Sequence, residues 1–141
     1  MLFGLPAAAG AQAPWQQGEQ IRNGLFDAQT DILLSGGARA AADVRATQEA
    51  ISGKLEKQLR ASSPRSLDQL EAALADAESA AAAGDEIGLA AARGRALAAL
   101  RHGAFDVAVD AAAAGEVERA RGWLLIRDFR QATRFTRPGV D

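Results

Sequence analysis

The sequence predicts an all-α protein, an antiparallel bundle of five to six helices joined by short Gly and Pro turns. Three observations carry that expectation. Alanine, the residue of highest intrinsic helix propensity, occupies 35 of the 141 positions, and its commonest companions Leu, Arg, Glu and Gln are also good helix formers. Tyr is absent and aromatics are 5% of the chain, so the alternating β-branched and aromatic runs that strands favour are missing. Apolar residues recur instead at helical spacing, between stops made of Gly, Ser and Pro.

The elements follow in order. Ile21, Leu25, Ala28 and Ile32 mark one face of a helix from Trp15 to Leu34, with Phe26 beside them as a core anchor. Ser35-Gly36-Gly37 stops it, because Gly takes a left-handed cap at little cost. A second helix is expected from Ala38 to Arg60, with Val44, Ile51 and Leu55 on its apolar face. Ser62-Ser63-Pro64 breaks the chain; Ser63 suits an N-cap and Pro64 the first turn, and Ser66 with Gln69 also fits a capping box. A third helix runs from Leu67 to Ala83 and a fourth from Glu86 to His102, where Gly103 ends or kinks it. Ala104 to Ala114 forms a fifth. The sixth, from Glu116 to Phe135, holds Trp123 and Phe129 as core anchors.

One echo runs through this pattern. Ala80-Ala81-Ala82-Ala83-Gly84-Asp85 recurs as Ala111-Ala112-Ala113-Ala114-Gly115-Glu116. It fits stacked hairpins of a helical-repeat interaction module; it equally fits Ala-rich helix ends closed by Gly-acid turns.

Composition excludes several classes. A net charge of −2 lacks the basic excess of a nucleic-acid groove. With no Cys and one His, disulfide scaffolds, thiolate sites and paired-imidazole sites are ruled out. Gly36-Gly37 has no phosphate-loop context, and Ser62, Ser63 and Ser66 have no base nearby in sequence, so no constellation calls for an enzyme. Residues 1–14 read as a lead-in. Leu2 to Ala11 is uncharged, and Ala9-Gly10-Ala11 has the small-x-small form of a signal-peptidase site. The competing reading is an Ala/Pro-rich disordered start. Residues 15–141 are expected to form a single helical domain.

The residues able to carry chemistry are few. Asp27 and Asp31 lie four apart on one helix face. Two carboxylates so placed can bind a hard cation if other groups complete the shell, which makes them the metal candidates. They can equally pair with Arg. Arg127, Arg130 and Arg134 supply guanidinium groups at steps of three and four on the last helix, with Asp128 among them, as structural ion-pairing residues. His102 is read as a cation at a helix C-terminus. No cofactor is called for.

Two stretches carry a resemblance. Ile21-Arg22-Asn23-Gly24-Leu25-Phe26-Asp27-Ala28-Gln29 opens the ordered part, and the run from Ala120 to Pro138, with Gly122-Trp123-Leu124-Leu125-Ile126-Arg127-Asp128-Phe129-Arg130 at its centre, closes it. Together they resemble the extracytoplasmic N-terminal region of bacterial high-affinity iron permeases of the oxidase-dependent family. The resemblance implies a role in iron uptake, an extracytoplasmic location, a membrane permease domain as partner and iron as the ion in play. It also implies an accessory part: the family's Arg-Glu-Gly-Leu-Glu motif is absent from these 141 residues, so no permeation residue carries over.

Overall fold

Residues 13–127 are described by a computed structural model, and among them lie six α-helices and no strand. They are α1 (Pro14–Leu34), α2 (Gly37–Ile51), α3 (Lys54–Ser62), α4 (Pro64–Ala82), α5 (Glu86–Ala113) and α6 (Val117–Arg127). Pro14 occupies the first position of α1, where its missing N–H costs nothing. The Gln16 side chain accepts from the Ala13 N–H at 2.8 Å.

Two boundaries differ from those read in the sequence. The expected second helix is two helices, α2 and α3, divided at Ser52-Gly53, where Gly53 takes φ +99°. The expected fourth and fifth helices are one. Gly103 is buried within the 28-residue α5 and does not end it. A Cβ on Gly103 would stand 2.5 Å from Leu59 Cδ2 and 3.1 Å from Ser66 Cβ. The glycine is there because α5 passes close to α3 and α4. His102 is therefore an exposed mid-helix residue, not the C-terminal cation expected of it.

The repeated Ala-Ala-Ala-Ala-Gly-acid run closes two helices in the same way. Asp85 N donates to Ala80 O at 2.8 Å and Gly84 N to Ala81 O at 3.0 Å; Glu116 N donates to Ala111 O at 2.8 Å and Gly115 N to Ala112 O at 3.0 Å. Each is the paired six-to-one and five-to-two bonding of a Schellman cap, with glycine at positive φ. The echo is thus a shared turn chemistry. It reverses the chain between α4 and α5 and again between α5 and α6. Asp85 then caps α5 by accepting from Gly88 N at 2.9 Å, next to the positive end of the helix dipole.

Packing follows from side-chain size. The buried face of α5 is built of Ala92, Ala96, Ala99, Gly103, Ala104, Ala108 and Ala111, interrupted by Leu89, Leu100 and Val107. Small residues let neighbouring backbones come close, and larger side chains from those neighbours fill the remaining space. Ile21 and Leu25 come from α1, Leu55 and Leu59 from α3, Leu67, Leu70 and Leu74 from α4, and Trp123 and Ile126 from α6, all fully buried in one cluster. α5 packs on α4 and α6, α1 on α2, and α2 on α4; the closing helix α6 also touches the opening helix α1.

Trp123 is the largest fully buried side chain. Its indole N–H donates to Gln58 Oε1 on α3 at 2.7 Å, and Arg119 Nη1 donates to the same oxygen at 3.3 Å. Trp123→Ala is expected to cost about 3–5 kcal/mol, through the cavity it leaves and the acceptor it strips of its best donor. Urea unfolding followed by circular dichroism measures this, and an unchanged midpoint would show that α6 does not support the bundle.

Candidate functional site

The acidic residues of the first hairpin are arranged by its geometry. α1 and α2 run antiparallel through Ser35-Gly36, which brings Asp31, four residues before the turn, alongside α2. Asp31 accepts from Ser35 Oγ at 3.1 Å. Arg39 Nε lies 3.6 Å from Asp31 and 3.9 Å from Asp43. One guanidinium from the first turn of α2 therefore serves two carboxylates.

Asp43 was not among the residues singled out from the sequence. It stands twelve positions from Asp31 in the chain, so only the hairpin brings the two together. Its Oδ2 is buried and meets no donor among the described residues. Two ionised carboxylates in contact repel, and burial penalises charge further. Asp43 is accordingly pushed up to about 6, chiefly by burial, then by the bond and the charge of Asp31; Arg39 opposes the shift and Asp27 adds to it. Asp31 is held below the usual carboxylate range, mainly because the Asp43 carboxyl donates a hydrogen bond to it, against some desolvation, with Ser35 and Arg39 helping. Burial and the neighbouring carboxylate thus favour one shared proton on the pair in mildly acidic solution.

Asp27 is exposed, one turn before Asp31. Neither residue pairs with a described arginine of α6. Arg119 pairs with Glu116, just before the helix, at 3.0 Å and Arg121 with Glu118, inside it, at 3.2 Å, and the partner of Asp31 is Arg39 of α2. The physical reason is local. An acid at or just before the start of a helix, three residues ahead of an arginine, is already within its reach. The Arg127 side chain and Asp128, Phe129, Arg130 and Arg134 lie outside the described residues. Phe26, expected in the core, is 51% exposed. Adjacent to Leu25, it is turned about 100° away from the buried stripe.

A second polar cluster is buried. Ser63 Oγ stands 2.5 Å from Asp106 Oδ2 and 2.9 Å from Ser66 Oγ. The Ser63 hydroxyl therefore ties the start of α4 to α5 and makes no cap bond to its own helix. Ser66 is likewise buried inside α4 and does not cap it. A serine bonded to a carboxylate with no imidazole between them has no relay for a proton, so the cluster is a structural tie. Among the described residues no group of three or more His, Asp or Glu side chains is placed to hold a metal ion.

The family model for the iron permease FTR1 N-terminal domain matches residues 11–141. The chain belongs to that family. No curated protein and no solved structure matches it significantly. Membership gives the iron permease domain a part in a transporter and associates it with a membrane protein. No helix among its described residues is long and apolar enough to cross a membrane.

The Asp31–Asp43 pair is expected to make the stability of the iron permease domain depend on pH. Asp43 binds its proton more tightly folded than unfolded, where its value is near 3.8. Between about pH 4 and 6 the unfolded chain has released that proton while the fold retains it, so this group's contribution to stability falls as pH rises through the window and is level above it. Asp43→Asn, whose amide can donate to Asp31 at any pH, is expected to remove the decline. Melting temperatures of the two proteins at half-unit pH steps check this; parallel curves would show that the carboxyls do not share a proton.

Proposed function

We propose that this domain is an extracytoplasmic accessory of the iron permease, folded outside the membrane and serving iron uptake without lining the permeation path. The observation that carries the reading is the extent of the family match, which takes in the whole described bundle. The uncharged Leu2–Ala11 stretch with its Ala9-Gly10-Ala11 step supports export. The same reading assigns no reaction to the domain, and its partner is the membrane permease part of the transporter. Sidedness tests it directly. The chain has no cysteine, so Ala61→Cys, on the exposed side of α3, gives a single label site in a transporter whose other cysteines are replaced. An impermeant maleimide is expected to label it in intact spheroplasts as fast as in broken ones. Labelling only after lysis would place the domain in the cytoplasm and end the proposal.

Asp27 and Asp31 remain the residues through which iron would touch the domain. Two carboxylates fall short of a full shell for a hard cation, so water or a partner would supply the remaining oxygens. Contact of that kind is weak and rises as the Asp43 proton leaves. Titration calorimetry of the full transporter in detergent with ferrous and ferric iron, at pH 5 and at pH 7, compares the native protein with Asp27→Ala/Asp31→Ala. A heat lost in the double variant supports the assignment. Identical isotherms would leave the acidic hairpin a purely structural element.

A further inference from the structure

Two hairpin turns lie side by side at one end of the bundle. Gln29 Nε2 of α1 reaches Glu86 O at the start of α5 at 3.5 Å. Gly37 of α2 lies so close to the end of α4 that a Cβ there would meet Ala81 O. This end carries large aliphatic side chains in the open: Leu33 is 61% exposed, Leu34 80% and Ile87 84%. A lone exposed leucine needs no explanation, but three at adjoining tips form a patch. None is used by the core, and none takes part in the turn bonding.

The charge around the patch is one-sided. Asp85 and Glu86 are exposed beside Ile87, and Asp27 and Asp31 precede Leu33. The cations nearby are already engaged: Arg39 lies between Asp31 and Asp43, and Arg45 pairs with Glu78 of α4. At the far end bases and acids mix: Lys54, Lys57, Arg60 and Arg65 are exposed around α3, Arg60 pairs with Glu56, and Glu116 and Glu118 are exposed at the start of α6. The α3 region packs near Gly103, about 25 Å along α5 from Glu86 at the helical rise. An acidic rim repels an anionic bilayer surface, so the patch suits a protein face rather than lipid.

We propose that the Leu33/Leu34/Ile87 tip docks onto the membrane-embedded part of the same transporter, at a surface apolar in its centre and basic at its edge. The proposal rests on the reading of the chain as a domain of the permease. Acidic side chains around an apolar centre call for basic ones opposite. On the reading of the chain as a domain of the transporter, assembly with its membrane part gives a modest patch the high effective concentration it needs to stay docked.

Single-cysteine transporters test this in open membrane fragments, where both faces are accessible and sidedness plays no part. Leu34→Cys and Ile87→Cys report on the tip, and Ala61→Cys on the far end. Labelling rates with a polyethylene-glycol maleimide are each normalised to the same protein unfolded in dodecyl sulfate. Docking predicts that both tip sites react about tenfold more slowly than Ala61→Cys, and that 0.5 M salt narrows the gap by screening the rim. Equal normalised rates at all three positions would overturn the proposal. So would oxidation of Leu34→Cys to a species of twice the transporter's mass, which would make the tip a contact between copies. Slow labelling that survives in Leu33→Asp/Asp85→Lys transporters would also overturn it, since that variant spoils both the apolar centre and the rim. The spheroplast experiment can fail while this one succeeds, and the reverse, so the two readings are separable.

Discussion

The bundle depends on the small-residue face of α5. A helix that buries Ala and Gly gains little hydrophobic free energy from its own side chains. What it provides is closeness, since neighbouring backbones can approach where no long side chain intervenes. Gly103 is the extreme case, with Leu59 and Ser66 occupying the space a side chain would need. The large apolar groups are contributed by the helices that pack on α5, so each neighbour is held by its own leucines, and α6 by Trp123.

Such a core has little shape specificity of its own, because alanine faces slide past one another easily. Two partly buried polar ties supply register. Ser63 bonded to Asp106 pins the start of α4 to one turn of α5, and Gln58 pins α3 to the Trp123 and Arg119 turn of α6. Buried polar groups favour the arrangement that satisfies them over neighbouring ones that do not. The two Schellman turns do the same for direction, reversing the chain with glycines that accept positive φ.

Charge is uneven along the molecule. The turns after α1 and α4 collect acids, while the far end mixes the bases of α3 with acids such as Glu56, Glu116 and Glu118. The one acid pair forced into contact, Asp31 with Asp43, is eased by a shared proton and by Arg39.

The sequence by itself determined the helical class, most helix ends and the family. Alanine content, 3.6-residue periodicity and Gly stops are local properties, and Gly84-Asp85 and Gly115-Glu116 announce their turns without reference to the rest of the chain. The stripe of Ile21, Leu25 and Ile32 was legible for the same reason. Only the tertiary structure decided whether Gly103 breaks a helix, because a glycine that stops a chain and one that admits a neighbour look alike in sequence. It also decided that Phe26 turns outward, that Ser63 serves Asp106 and leaves its own helix uncapped, and that Asp43 meets Asp31. Each of those depends on groups distant in sequence competing for one small volume, and such competition is settled by packing rather than by any local preference.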